Sequence, residues 1–203
     1  MAKSKEKIME IVFLLAACVS ILAVALICVF LFANGIPAMK KIGFADFLLG
    51  TTWKPGNDIY GIFPMILGSI YVTAGAILLG VPIALFTSVF MARYCPKKIY
   101  RPLKSGIELM AGVPSIVYGF FGLVLIVPLI RQIFGGTGTS MLAACILLGM
   151  MILPTIIGVT ESAIRSVPES YYEGSLALGA TKERSIFCVM LPAAKSGILA
   201  AVV

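Results

Sequence analysis

The chain has 203 residues, 60% of them hydrophobic and only 12% charged, with a mean hydropathy of +1.06, a balance foreign to ordinary water-soluble domains of this size. It contains no histidine, which excludes a Ser-His-Asp triad, a Cys-His pair and a His-ligated zinc site. The net charge of +7 comes from Lys and Arg set between long apolar runs, where they act as topology signals rather than as a nucleic-acid footprint.

The basic start Met1 to Lys7 leads into an apolar run over 11–33. That run is longer than the roughly 7–15 apolar residues of a secretory signal, so it reads as a retained span. The segment that follows places Phe44, Phe47, Trp53 and Tyr60 near its ends, where aromatic side chains anchor at a membrane interface. A second run, 62–92, exceeds the ~20 residues of a perpendicular span. Its Gly80-Val81-Pro82 predicts a tilt or kink. A third run, 106–130, is interrupted by Gly106, Gly112, Pro114, Gly119 and Gly122. Small residues and a helix breaker at membrane depth suit either a bent helix lining a cavity or a tightly packed interior helix, and both readings stand. A fourth run covers 140–163, and a fifth begins at Gly197 and meets the end of the chain at Val203. Seven residues cannot cross a core about 30 Å thick, so the chain is expected to be truncated at its C-terminus.

Alternating the loops puts Lys3, Lys5, Lys7, Arg93, Lys97, Lys98, Arg101, Lys104, Arg165, Lys182, Arg184 and Lys195 on one side, against Lys40, Lys41, Lys54 and Arg131 on the other. Lys and Arg accumulate on the cytoplasmic side, so the N-terminus is expected inside. The cysteines, Cys18, Cys28, Cys95, Cys145 and Cys188, show no C-x-x-C spacing. They indicate neither a disulfide framework nor a metal site.

Polarity and capping signals concentrate in 165–195. Ser166-Val167-Pro168-Glu169 has the form of a capping box and predicts a short helix with Ser166 as its N-cap. Gly179 is placed to end that helix in the left-handed conformation. Thr181 can cap a second helix that ends near Leu191-Pro192. A DNA-reading helix-turn-helix has the same outline, but both ends here are tethered to membrane spans, so nucleic acid is not an expected partner. A passive connection would rarely be this long and this well capped; a docking element for a cytoplasmic partner uses the features.

Glu108 and Glu161 are the acidic residues inside the apolar runs, which makes both candidates for function. Both also lie near the inner boundary, Glu161 four residues before Arg165 and Glu108 four after Lys104, spacing that suits structural ion pairs.

Glu173-Gly174-Ser175, Gly179 six residues after the glutamate, and Val189-x-Leu191-Pro192 together resemble the E-A-A-x-x-x-G-(x)9-I-x-L-P loop of ABC importer permeases. Gly174 and Ser175 replace the two alanines and Val189 replaces isoleucine. Thr51-Thr52-Trp53-Lys54-Pro55, Tyr60-Gly61-Ile62-Phe63-Pro64 and the segment from Ala111 to Gly122 are similar to the phosphate importer permeases, the first group to the PstC type in particular. The resemblance runs over 45–203.

The resemblance implies an all-α, polytopic transmembrane permease. Its loop over 165–195 would couple to an ATP-binding subunit through Glu173, Gly174, Ser175, Gly179, Leu191 and Pro192. Pro114, Ser115 and Glu108 are candidates for the translocation path, since phosphate favours backbone N–H groups and hydroxyls. The implied partners are ATP-binding subunits, a second permease subunit, an extracytoplasmic phosphate-binding protein and membrane lipid. The implied location is the cytoplasmic membrane of a bacterium or archaeon. No G-x-x-x-x-G-K-[ST] is present, so nucleotide chemistry is expected on another chain, and no cofactor is expected on this one. The alternatives are a permease for another oxyanion and an ion-coupled secondary transporter using Glu108 and Glu161. A membrane-embedded enzyme finds little chemistry to work with.

Overall fold

The computed structural model describes the backbone of residues 2–203 and the side chains of residues 6–203. Lys3 and Lys5, counted above for orientation, fall outside the described side chains. The chain divides between Leu67 and Gly68 into two units.

The first unit opens with helix α1, Ala2–Ile42, whose side chains from Glu6 to Asn34 are all exposed. A helix that is apolar on every side and unburied by protein is suited to lipid, where every backbone group is satisfied internally. It runs past the apolar segment 11–33 and through Pro37. Gly43, at φ 93°, then turns the chain into the short helix α2, Phe44–Leu49. A minimal hairpin follows, β1 Trp53–Lys54 against β2 Ile59–Tyr60, with Trp53 opposite Tyr60. Their rings meet edge to face at 5.7 Å between centroids, a favoured aromatic geometry.

The remaining elements are α3 (Phe63–Tyr94), α4 (Lys97–Gly112), α5 (Ser115–Phe134), α6 (Met141–Ser166), α7 (Glu169–Ala177), α8 (Lys182–Ala193) and α9 (Lys195–Val202). Four helices among the described residues, α1, α3, α5 and α6, are long and apolar enough to cross a membrane. The pair α8 and α9, bent by 69°, would form a fifth span if taken as one. The second unit is organised around α3 and α6. Cβ-less Gly80 lets α3 approach the carbonyl of Gly149 and the side chain of Ile152 on α6. Ser88 Oγ, fully buried, donates to Ala84 O at 2.7 Å and to Ile157 O at 3.3 Å, satisfying in the interior a hydroxyl that would otherwise be costly to bury.

The run 106–130 is not one helix. Pro114 forces Val113 into extended backbone, with ψ 123°. The first part of the run therefore belongs to α4, and the apolar helix proper is Ser115–Phe134. Tyr118 staples the break, its hydroxyl donating to Met110 O at 3.0 Å. Helix α4 is amphipathic: Tyr100, Leu103 and Ile107 pack on the core formed by Ala84, Met91, Ile156, Ile157 and Ala201, while Lys97, Lys98 and Arg101 are exposed.

Three widened turns punctuate these helices, at Phe90–Tyr94, Gly122–Ile126 and Ile186–Met190. In each, the residue just before a proline donates five residues back: Cys95 to Phe90, Val127 to Gly122, Leu191 to Ile186. A proline ring crowds the carbonyls one turn earlier and brings no N–H of its own, and sliding the preceding bond to the next carbonyl relieves that conflict locally. Pro82 and Pro154 are accommodated in α3 and α6 without such a turn.

Candidate functional site

Helices α7 and α8 form the corner foreseen from the sequence, with one correction at its entrance. Ser166 is the last residue of α6, not the N-cap of α7, and its hydroxyl donates back to Ala163 O at 2.8 Å. Pro168 holds the N-cap position without a side-chain bond, so there is no capping box. Apolar packing of Ile164 and Val167 carries α6 through the residues that looked like a start signal. The other end is as expected. Gly179 has φ 87°, Ala180 N donates to Ser175 O at 3.1 Å and Gly179 N to Leu176 O at 2.9 Å, the paired bonds of a Schellman stop. Thr181 caps α8, its hydroxyl accepting from Arg184 N at 3.3 Å.

Glu173 and Gly174 are exposed on α7, and Leu178 beside the corner is 92% exposed. Ser175 Oγ donates to Tyr172 O at 2.7 Å, and its carbonyl takes the Schellman bond. Leu191 packs with Tyr172 on the cluster of Val89, Ile164, Val167, Ile186, Met190 and Ala194. Pro192 follows the widened turn and is exposed. The segment thus has an apolar root set into the ends of α3 and α6 and a bare tip.

Two polar assemblies stand where that root meets the spans, and the first of them holds it. Arg93, on the last turn of α3, reaches both carboxylate oxygens of Glu169 through Nη1, at 2.8 and 3.1 Å. Its guanidinium carbon lies 5.5 Å from the Tyr172 ring centroid, and Nη2 is 3.8 Å from Met190 Sδ. One side chain therefore touches α7 and α8 at once. Beside it, Glu161 of α6 is 2% exposed. It accepts from Tyr100 Oη and Arg165 Nε, both at 2.6 Å to Oε1, and Lys104 Nζ stands 3.7 Å from Oε2. Arg165 also donates to Met91 O at 2.9 Å and lies over the Tyr100 ring at 4.7 Å. Hydrogen bonding to the Tyr100 hydroxyl, then the charge of Glu161, holds the Lys104 ammonium above its ordinary pKa. The cluster ties α3, α4 and α6 together at one level.

The i to i+4 pair of Glu161 and Arg165 was legible in the sequence. Lys104 turns to Glu161 on another helix rather than to Glu108, which is exposed on α4. Pro114 and Ser115 lie at the exposed break between α4 and α5. Glu108 is on the approach to it, so the three path candidates sit on one stretch of chain, separate in sequence from the loop. The roles of Arg93 and Tyr172 in joining α3 to α7, and of Tyr100 in joining α4 to α6, carry no local signal, because each acts on a helix far along the chain.

Among the described residues, four helices long and apolar enough to cross a membrane, with a two-helix elbow after the last of them, mark a multi-pass membrane protein. Residues 80–203 match the model of the binding-protein-dependent transport system inner membrane component, and the chain belongs to that family. It is 40% identical over 195 residues to the "Probable ABC transporter permease protein YqgH" of Bacillus subtilis, covering 92% of this chain and 62% of that relative's length. It is 32% identical over 216 residues to the "Probable phosphate transport system permease protein PstC" of Methanocaldococcus jannaschii, covering 95% of this chain and 68% of that relative. A PstC of Mesorhizobium japonicum is 30% identical over 192 residues, 85% of this chain and 58% of the relative. A chain of the MetNI methionine ABC transporter in an inward-facing conformation has a TM-score of 0.53 at 25% identity, over 70% of this chain and 64% of that one. The fold is accordingly that of an ABC importer permease.

Proposed function

We propose that this chain is part of the permease of an ATP-driven phosphate importer, and that the elbow formed by α7 and α8 engages the ATP-binding subunit. The observation that carries this reading is the elbow itself: a tip with Glu173, Gly174 and Leu178 exposed, on a root anchored to α3 by Arg93 and Glu169. A segment loose at its root could not pass movement to the spans, and one buried at its tip could not meet a partner. The N-terminus and the elbow are assigned to the cytoplasm on the distribution of Lys and Arg.

The phosphate reading draws on the PstC relatives. The proposed path candidates are Pro114, Ser115 and Glu108, with the Ser115 hydroxyl and the first N–H groups of α5 offering anion contacts. A second permease subunit, two ATP-binding subunits and an external phosphate-binding protein complete the proposed assembly, in a bacterial or archaeal cytoplasmic membrane. Hydrolysis belongs to the ATP-binding subunits. Glu161 favours this reading over ion coupling, because three cationic or hydroxyl neighbours engage it, leaving little freedom for a proton relay.

The test is uptake of labelled phosphate by cells lacking their own importer and expressing the permease with its proposed partners. Uptake should vanish when the ATP-binding subunit is omitted and should resist excess sulfate and molybdate. Uptake that persists without that subunit and collapses with the proton gradient would establish the secondary transporter instead.

A further inference from the structure

We infer that the cleft between the end of α3 and the start of α4 is a binding site for a phosphate-bearing anion, beside the root of the elbow and distinct from its tip and from the path candidates. The cleft has a volume of about 670 Å³ and is lined by Arg93, Lys97, Lys98, Tyr100, Arg101 and Arg165 together with Met91, Ala92 and Cys95. Five cationic side chains line it and no carboxylate does. Glu169 and Glu161, which meet two of its arginines, are already engaged: Glu169 with Arg93, Glu161 with Arg165. Lys97, Lys98 and Arg101 make no ion pair among the described residues, so three positive charges converge on one concavity uncompensated. Like charges held together cost free energy unless a counter-anion sits among them.

Guanidinium groups suit phosphate in particular, since their planar donors match its oxygens.

The position favours the headgroup of an anionic phospholipid as the source. The cleft lies where the apolar span α3 ends and the basic helix α4 begins. Phe86 and Phe90 on the last turns of α3 are 62% and 42% exposed, and Ile99, between Lys98 and Tyr100, is 53% exposed. Apolar surface beside convergent cations fits an amphiphile with a phosphate head. Free phosphate would offer the same head chemistry without the chains. The inference rests on charge and shape alone, so it does not depend on which substrate is carried.

Thermal unfolding of the permease in uncharged detergent tests it, comparing the native chain with a variant carrying Lys97→Gln, Lys98→Gln and Arg101→Gln. Phosphatidylglycerol should raise the native midpoint above that in phosphatidylcholine, and the variant should lose that difference while matching the native chain in phosphatidylcholine. Each cation removed should weaken phosphatidylglycerol binding about fivefold, on the order of a hundredfold for all three. If inorganic phosphate gives the same shift and the variant abolishes it, the site stands and its ligand is soluble. Equal responses of native chain and variant to every additive would overturn the inference. So would a variant that responds normally to both but no longer binds the ATP-binding subunit, which would make the cleft a protein contact. Should the triple variant not fold, Arg101→Gln alone decides: unchanged phosphatidylglycerol affinity by titration contradicts the site.

Discussion

Arg93 and Glu169 lie 76 residues apart in the chain, and a single guanidinium nitrogen of the one meets both carboxylate oxygens of the other at 2.8 and 3.1 Å. The pair joins the last turn of a span to the first turn of the elbow. Arg93 is 14% exposed and Glu169 56%, so the arginine is embedded while the glutamate comes to it from the surface.

That asymmetry orders two substitutions. Glu169→Gln removes one partner of a half-exposed pair and should cost about 0.5 kcal/mol. Arg93→Ala also removes the contacts with Tyr172 and Met190 and should cost about 1–2 kcal/mol. Arg93→Lys should rescue little, since an ammonium cannot span the same partners. Hydrogen exchange over 169–177 reads the effect directly. Protection should fall in the order native, Glu169→Gln, Arg93→Ala, with protection in α3 and α6 unchanged. Equal protection in all three would mean the elbow is held by its apolar root alone.

The Glu161 cluster carries a different expectation. Tyr100→Phe deletes one hydrogen bond to a buried carboxylate and should lower stability by about 2 kcal/mol. Glu161→Gln keeps the shape and should be milder than Glu161→Ala, because Arg165 is 46% exposed and can turn toward water. The raised pKa of Lys104 means that its contribution is complete below pH 10.5 and fades only as pH rises through the folded-state value. The part Lys104 plays in the cluster should therefore be insensitive to pH across the neutral range. In the importer reading, Glu161→Gln retains ATP-dependent uptake in proportion to folded protein. Complete loss of uptake with normal folding would revive a proton-relay role.

Much of this arrangement is legible in the sequence where the signal is local. Gly179 just after Leu176 and Leu178, and Thr181 two residues on, specify a stop and a start, and the backbone obeys both. Apolar runs report α3 and α6 because lipid imposes length and composition on any span. Ser166 misleads for a physical reason: a serine, a proline and a glutamate mark a helix start only if the preceding helix has ended, and buried Ile164 keeps α6 intact to Ser166. Pro114 marks a break visibly, yet the apolar residues on both sides hide that two helices meet there. Lys104 has carboxylates at two distances, one on its own helix and one reached by packing, and only the fold decides for Glu161.

Orientation is tested by thiol chemistry. Cys188 is exposed and Cys95 half-buried, both beside basic segments. In single-cysteine versions of the permease, an impermeant maleimide should label Cys188 readily and Cys95 more slowly, and both only after the cells are opened. Labelling of either in intact cells would reverse the orientation.

The central claim is that the elbow couples nucleotide hydrolysis to the spans, and Gly179 gives the sharpest access to it. An added Cβ there would meet no neighbouring atom, but φ of 87° is a conformation that side chains rarely adopt. Gly179→Val therefore strains the corner without a steric clash, at a cost of about 1–2 kcal/mol or more. With the ATP-binding subunits and binding protein present, the decisive measurement is substrate-stimulated ATP hydrolysis and phosphate uptake by this variant in the same preparation. The account predicts normal membrane insertion with both activities lost together. Native levels of both in Gly179→Val would contradict it.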